Sequence, residues 1–521
     1  MTATTLFMNG TIVTLDPACP QATALAVRDG RITAVGSAEA LASARGPADH
    51  VVDLGGATVL PGFVDAHNHF AIAALEGFWA ECRTPPCATI ADLQAALRAA
   101  ARDTPPGEWV RGFGYHHAAL AERRHPTRHE LDDAVPDRPA FLLHFSHHQG
   151  IANSKALATA GITRGTPDPP GGEIGRDRTG EPTGLLFERA MASVERASRE
   201  GWESRFLDVV AEASRRYAAV GITTVQDAAV GPAMEARYRE AAARGRLGIR
   251  VRRMAVAASG WFEPPWALAR APAPAPGPGW LKIFVDGGYR CAMRLRRDGE
   301  TVTRGFLFYA RDELTDLLVT AWRSGWRVAC HAIGNLGLET CLGAIEDGIR
   351  REPRGEGRVR IDHALFLAED ALGRIRRLGV PVVTQPAFLY DQGVAGAGRL
   401  DGLFERPFGR LHDAGVPQAF SSDYPCGSLA PLTGVYAAVT RRSREGPRVD
   451  EEPGMSVEAA LRAYTIEAAR AGGLDGECGS LAVGRAADLV VLDRNPLGAA
   501  PDELARIGVR RTFVAGRQVW P

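Results

Sequence analysis

Eight short apolar segments rich in β-branched residues recur along the chain, most of them followed by helix-patterned sequence, and this alternation limits the fold most. They lie at 59–65, 222–227, 249–256, 281–286, 327–331, 359–363, 380–385 and 417–422, with helical patterns between them, for example at 311–324 and 336–350. Nearly continuous hydrophobicity suits strands buried on both faces, as in a parallel sheet covered by helices. Eight βα units of this kind predict an α/β fold, a (β/α)8 TIM-type barrel. An open doubly wound sheet is the alternative, but no glycine-rich phosphate turn follows the first segment.

Two stretches fall outside the repeat. Residues 1–58 and 475–521 carry strand and turn signals at 6–15, 24–35, 489–493 and 512–519. Neither end alone has enough strands to bury a core, so the two are expected to pair into one small composite β-domain. Residues 59–79 and 206–474 then make the barrel. Residues 80–205 exceed any ordinary βα connection and are expected to form an inserted α+β lobe after the first barrel strand, over the barrel mouth. The Pro/Ala run at 271–279 reads as an extended connector into the fourth strand.

The chain has 521 residues, with 61 Lys+Arg against 61 Asp+Glu, so no global charge argues for nucleic acid or membrane partners. No apolar run approaches a membrane span, and the first residues lack the basic and apolar regions of a signal peptide. The eight cysteines show no paired metal-knuckle spacing, which suits reduced thiols in a cytoplasmic enzyme. A small-molecule substrate is expected. A homodimer is kept open as the assembly, although no residue pattern decides it.

The first segment runs into Asp65-Ala66-His67-Asn68-His69. Strand alternation points His67 and His69 the same way, so both imidazoles can grip one metal ion. A lone His-x-His is a weak signal. Lys282 lies in the fourth segment, however, and His331, His363 and Asp423 end the fifth, sixth and eighth. In a barrel these strand ends converge on one face. Four imidazoles and a carboxylate suit a divalent metal, zinc or a similar borderline ion. Singly, each residue has a plain structural reading: a hydrogen-bonded core histidine, a snorkelling lysine, a helix-capping aspartate. Their joint placement predicts a metal site.

The string Pro61-Gly62-Phe63-Val64-Asp65-Ala66-His67-Asn68-His69 and these later residues resemble the amidohydrolase superfamily. Four further landmarks are Asn153-Ser154-Lys155-Ala156-Leu157, Gly171-Gly172-Glu173-Ile174, Pro182-Thr183-Gly184-Leu185-Leu186 and His331-Ala332-Ile333-Gly334. With the ending Gly479-Ser480-Leu481-Ala482-Val483-Gly484-Arg485-Ala486-Ala487-Asp488-Leu489-Val490-Val491, they extend the resemblance over nearly the whole chain. More narrowly, the chain is similar to the long-chain branch that includes N-substituted formamide deformylases. The resemblance implies two metal ions, one on His67 and His69 and one on His331 and His363. Lys282, carboxylated by carbon dioxide, would bridge them as a carbamate, since a buried lysine loses its proton readily. A water acidified between the ions would attack a carbonyl or formyl carbon. Asp423, also a ligand, would take its proton and pass it to the leaving nitrogen, with His331 and His148 completing the catalytic set. With Lys282 unmodified, a single ion on His67, His69 and Asp423 is the alternative.

The chain departs from these relatives in places. Asn335 stands where an aspartate is usual, Ser146 replaces an aspartate before Asn153, and His116 occupies a position where an acid is common. The lobe is rich in histidine: His116, His117, His144, His147 and His148. Substrate-facing hydrogen bonds are expected of these, in preference to a separate metal site, with His148 reaching the pocket. His116, Tyr289, Cys291, Asn335 and Gln385 are the expected substrate-lining positions. A nucleophilic Cys291 is disfavoured because no histidine lies near it in sequence.

The expected activity is metal-dependent hydrolysis of a non-peptide C–N bond, in an N-acyl or N-formyl amide of a small molecule. Deamination of a heterocycle on a single metal is the alternative enzyme class. Such deaminases carry a glutamate shortly after the fifth-strand histidine, whereas Ile333-Gly334-Asn335 follows here. A catalytically inactive binding relative is the third reading, opposed by the full set of ligand positions.

Overall fold

A computed structural model describes residues 3–521, apart from 44–45, 47–48, 258–262, 275–278, 289, 298, 394–399, 401 and 445. Its central sheet has eight strands in sequence order. These are β1 (Phe63–Asn68), β2 (Ile222–Val230), β3 (Arg250–Ala255), β4 (Trp280–Phe284), β5 (Arg327–Ala332), β6 (Val359–His363), β7 (Val382–Thr384) and β8 (Gln418–Phe420). Every laddered pair is parallel. Each of the eight predicted segments supplies its strand, and the barrel is the expected one.

The two edges, β1 and β8, meet through individual bonds instead of a ladder. Asp423 N donates to His67 O at 2.9 Å and His69 N donates to Tyr424 O at 3.0 Å. Lower down, Val64 N donates to the carbonyl of Tyr464, which caps the helix Val457–Ala463. The buried Asp65 adds a side-chain clasp, its Oδ1 accepting Ser422 N at 3.0 Å. The seam of the barrel is therefore built from residues adjoining His67, His69 and Asp423.

Helices cover the outside of the strands. Leu317, Leu318 and Trp322 of Arg311–Arg323 pack with Leu338, Leu342 and Ile345 of Asn335–Arg351 on the outward side chains of β4, β5 and β6. The inward side chains Trp280, Met254, Ala228 and Ala329 plug the barrel floor. The strands are thus buried on both faces, which is why their sequences read as continuous hydrophobic runs.

One boundary differs from the sequence reading. Residues 59–61, assigned there to the first barrel strand, belong to the strand Thr58–Pro61, which pairs antiparallel with Leu489–Leu492 and parallel with Thr11–Val13. Gly62 separates the two strands. A Cβ there would stand 2.2 Å from Thr223 Cγ2, so only glycine lets the chain pass this close to β2. Both chain ends share that six-stranded sheet, and a four-stranded sheet of Arg31–Gly36, Ala24–Arg28, Thr5–Met8 and His50–Asp53 lies beside it in sequence. Residues 275–278 of the Pro/Ala connector lie outside the described residues.

Between β1 and β2 a six-stranded mixed sheet spans Ala80–Glu81 to Pro182–Glu188. Its strand Ala140–His144 buries Leu142 in one core and Phe141 and Leu143 in another, so the sheet is covered on both faces. Asn153 is a structural pin. Its Oδ1 accepts Ala156 N and Ala140 N, while Nδ2 donates to the carbonyls of Val135 and Arg138. Among the described residues no helix is long and apolar enough to cross a membrane. All eight cysteines are free of disulfides.

Replacing Gly62 with alanine is expected to lower unfolding stability by about 1–3 kcal/mol through overpacking. A urea denaturation midpoint equal to that of the parent would show that the β1–β2 contact has slack.

Candidate metal centre

Alternation along the barrel strands decides which side chains enter the lumen. In β4, Trp280, Lys282 and Phe284 point inward while Leu281 and Ile283 pack outward. In β6, Arg360 and Asp362 point inward, which would send the next residue, His363, outward. His363 instead has φ +85°, and Ala364 φ +47°. This left-handed turn at the strand end swings the His363 imidazole back over the lumen, strain that a site with a job to do retains. Asp423 has φ +53° and is likewise turned inward after β8.

The six expected ligands meet at the C-terminal end of the barrel. Asp423 Oδ1 lies 3.4 Å from His67 Nε2 and 3.2 Å from His69 Nε2, and its Oδ2 lies 4.0 Å from His363 Nδ1. His67, His69 and Asp423 form a buried trio with ligand atoms within 4.8 Å of one another. The rings of His67 and His363 are 4.8 Å apart, and those of His363 and His331 are 4.4 Å apart. Lys282 is fully enclosed beneath them, 1 % exposed, with Nζ on Asp362 Oδ2.

Asp362 organises this floor, and the sequence reading passed over it. Its Oδ2 accepts from His67 Nδ1 at 2.9 Å and from Lys282 Nζ at 2.5 Å, and its Oδ1 is ion-paired with Arg360 Nε at 2.9 Å. Burial alone would push this carboxyl up. The Arg360 guanidinium, Lys282 and His67 outweigh it and hold Asp362 well below the usual carboxylate range. An ionised carboxylate only accepts, so His67 carries its proton on Nδ1 and keeps a lone pair on Nε2, toward Asp423. Gln385 does the same for His363. Its Oε1 accepts from His363 Nδ1 at 2.9 Å, while its Nε2 donates to Ser421 Oγ at 2.9 Å. Gln385 therefore stands behind the centre and not in the substrate space.

Electrostatics keep the imidazoles of His67, His331 and His363 neutral. Burial lowers His67 to about 4, with Lys282 adding to the effect, and lowers His363 to about 3, with His67 adding. Burial and the neighbouring His363, His148 and Lys282 push His331 well down. Burial would raise Asp423, but His67 and His69 outweigh it and hold its carboxylate ionised. Burial also lowers Lys282, with Asp362 opposing.

These residues fit a divalent ion. His363 Nε2 is buried and has no hydrogen-bond partner, a rare state that a cation would relieve. Neutral imidazoles whose second nitrogens are fixed by Asp362 and Gln385, facing an ionised aspartate, are the donor set and outer support that such an ion requires.

Above the centre is a cavity of about 740 Å³ between barrel and lobe. His148 reaches it, as expected. Its Nδ1 lies 2.7 Å from Glu188 Oε2 and 3.0 Å from Gly288 N, and its ring lies 5.5 Å from that of His331. Glu188, with φ +49° at the end of Pro182–Glu188, is a second residue missed in the sequence. Its Oε1 also accepts Gly288 N at 3.2 Å. His116, His117 and His147 line the same cavity, whereas His144 is fully buried behind them. Cys291 lines the wall, and burial raises its thiol, which suits an inert side chain. Asn335 is not on the cavity wall. Its side chain accepts from Arg294 N and donates to Arg294 O, fixing the hairpin Met293–Arg297/Glu300–Arg304. Tyr289 lies outside the described residues.

The sequence profile of the amidohydrolase family matches residues 50–520. The chain belongs to the amidohydrolase family. It is 35 % identical to the N-substituted formamide deformylase of Arthrobacter pascens over 528 residues, covering 98 % of this chain and 97 % of that one. Among solved structures it resembles an uncharacterized metal-dependent hydrolase from Pyrococcus furiosus, at 25 % identity with a TM-score of 0.72 over 95 % of this chain and 100 % of that one. The corresponding hydrolase from Pyrococcus horikoshii OT3 shares the fold at 24 % identity, with a TM-score of 0.74 over 96 % and 99 % of the two chains.

In this amidohydrolase, Gln385→Leu removes the acceptor for His363 Nδ1. It is expected to weaken metal retention by roughly 10–100-fold, read by competition with a chelating dye. Asp362→Asn leaves Arg360 without its anion in a buried site. It is expected to cost about 3–5 kcal/mol of stability in thermal unfolding, and a loss below about 1 kcal/mol would contradict the role given to Asp362.

Proposed function

We propose that this amidohydrolase hydrolyses the C–N bond of an N-acyl or N-formyl amide of a small molecule, with water supplying the oxygen and Asp423 the proton transfers. The observation that carries this is the ionised Asp423 carboxylate set between His67 and His69 on the cavity floor. Likeness to the formamide deformylase, over almost the full length of both chains, supports the choice of amide.

His67, His69 and Asp423 would hold one ion and His331 and His363 a second, with Lys282 as a carbamate between them. The nitrogen-rich donor set supports zinc. Carbamate formation joins the neutral Lys282 amine to carbon dioxide and releases a proton. Burial of Lys282 favours that neutral amine. The new anion would lie beside Asp362, so it depends on Arg360 and on bound cations for balance. When bound, the ions acidify a water and polarise the amide carbonyl.

The chain's own groups do the rest. Asp423, ionised in the resting site, takes the proton that the water loses on attacking the acyl carbon. It then delivers that proton to the departing nitrogen as the C–N bond breaks. His148, hydrogen-bonded to Glu188 through Nδ1, stands at the cavity wall near His331, where it would help to orient the substrate. Phe145, Phe366, Met293 and Ile333 give the wall an apolar part for the nitrogen substituent. The free thiols support a cytoplasmic setting. Deamination finds less support, because Asn335 is occupied by the Arg294 backbone.

Asp423→Asn is expected to abolish turnover of formamides and acyl amines while the circular dichroism spectrum is unchanged. Retained activity would remove Asp423 from the role of base. Lys282→Ala should lower metal content from two ions per chain toward one, and an unaltered count would refute the bridge. Formate or carboxylate release with an equal amount of amine is the expected product pattern. Ammonia release from a heterocycle would favour the deaminase instead.

A further inference from the structure

A second convergence of imidazoles lies in the lobe, apart from the centre on the barrel floor. His116 and His117 follow the strand Val110–Tyr115, and His144 ends the neighbouring parallel strand Ala140–His144, opposite Tyr115. Adjacent strand ends thus deliver three histidines to one place. Each offers a ring nitrogen, and the three nitrogens lie within 4.8 Å of one another.

The spacing is already close to that of a chelate. His117 Nδ1 and His144 Nε2 are 3.2 Å apart. Two nitrogens bound tetrahedrally to one zinc at about 2.0–2.1 Å stand roughly 3.4 Å from each other. The proton now shared by that pair is the one an ion would displace. His116 Nδ1 is buried without a hydrogen-bond partner, a state that coordination to a cation would relieve.

The rings are also held in place. His144 Nδ1 lies 2.8 Å from Ser146 Oγ. His117 stacks on His125 at 3.9 Å, and His125 Nδ1 lies 3.0 Å from Tyr115 OH. His116 stacks on Phe145 at 4.7 Å. Such outer support is what fixes ligand rings around a metal. Burial lowers His116, His117 and His144, so all three are neutral donors at neutral pH.

We propose that His116, His117 and His144 form a separate zinc site in the lobe, with three protein ligands and a remaining position open to the cavity. His116 and His117 line the same cavity as His67, His69 and Asp423. The open position therefore takes water or an oxygen donor from the part of the substrate that extends away from the barrel floor. The site does not depend on the chemistry proposed for the barrel centre.

The test is the zinc content of the full-length protein after dialysis against a weak chelator, with cobalt titration followed by its visible spectrum. In a His67→Ala/His69→Ala background, adding His116→Ala/His117→Ala should remove one further equivalent of bound ion per chain. The same loss of one equivalent is expected for His117→Gln alone in the otherwise native protein, which covers the case in which the double-background variant fails to fold. An equal ion count with and without the lobe histidines in folded protein would overturn the proposal.

Discussion

A single buried carboxylate, Asp362, joins the barrel interior to the chemistry above it. It is matched by Arg360 on one oxygen and by Lys282 and His67 on the other, with no exposed surface on Asp362 or Arg360. Charges this deep are tolerated only when paired and hydrogen-bonded. Arg360 is further tied to Ala66 O at 2.8 Å and to Gln226, and lies 5.0 Å over the Trp280 ring. The floor plug, the lysine and the first histidine therefore form one connected network, in which moving one member disturbs the others.

Closure of the barrel serves the same end. The β1–β8 seam uses His67 O, Asp423 N and the Asp65–Ser422 clasp, so the elements that complete the cylinder also set the distance between His67 and Asp423. Gln385 orients His363 from β7 in the same manner. The lobe contributes differently. Its sheet is packed on both faces by its own cores, and it presents His148, His116 and His117 to the cavity from strand ends. Rigid support below and variable side chains above are what let one fold act on many substrates.

Much of this was legible in the residues, and the exceptions have physical causes. The barrel strands could be read because both faces are buried, and His67, His69 and Lys282 follow from period-two alternation. His363 could not be placed by that rule, since its positive φ reverses the expected facing. Asp362 was overlooked beside His363, although Arg360 and Asp362, charged at alternate positions of an apolar strand, were a usable signal. Residues 59–61 looked like barrel because an apolar run does not reveal which sheet it joins, and Gly62 was the only mark of the change. Asn335 was expected at the pocket by resemblance, but the backbone of Arg294, in the hairpin after β4, claims its amide. The lobe histidines showed their number in the sequence, but not that parallel strand ends bring three of them together.

Six side chains, His67, His69, Lys282, His331, His363 and Asp423, are delivered by five barrel strands to one proposed metal-binding site. Anomalous diffraction at the zinc edge, from crystals of the protein purified without added chelator, tests it most directly. Strong peaks are expected at the C-terminal end of the barrel, one bounded by His67, His69 and Asp423 and another beside His331 and His363. A refined structure with ordered side chains there and no anomalous density among them would contradict it.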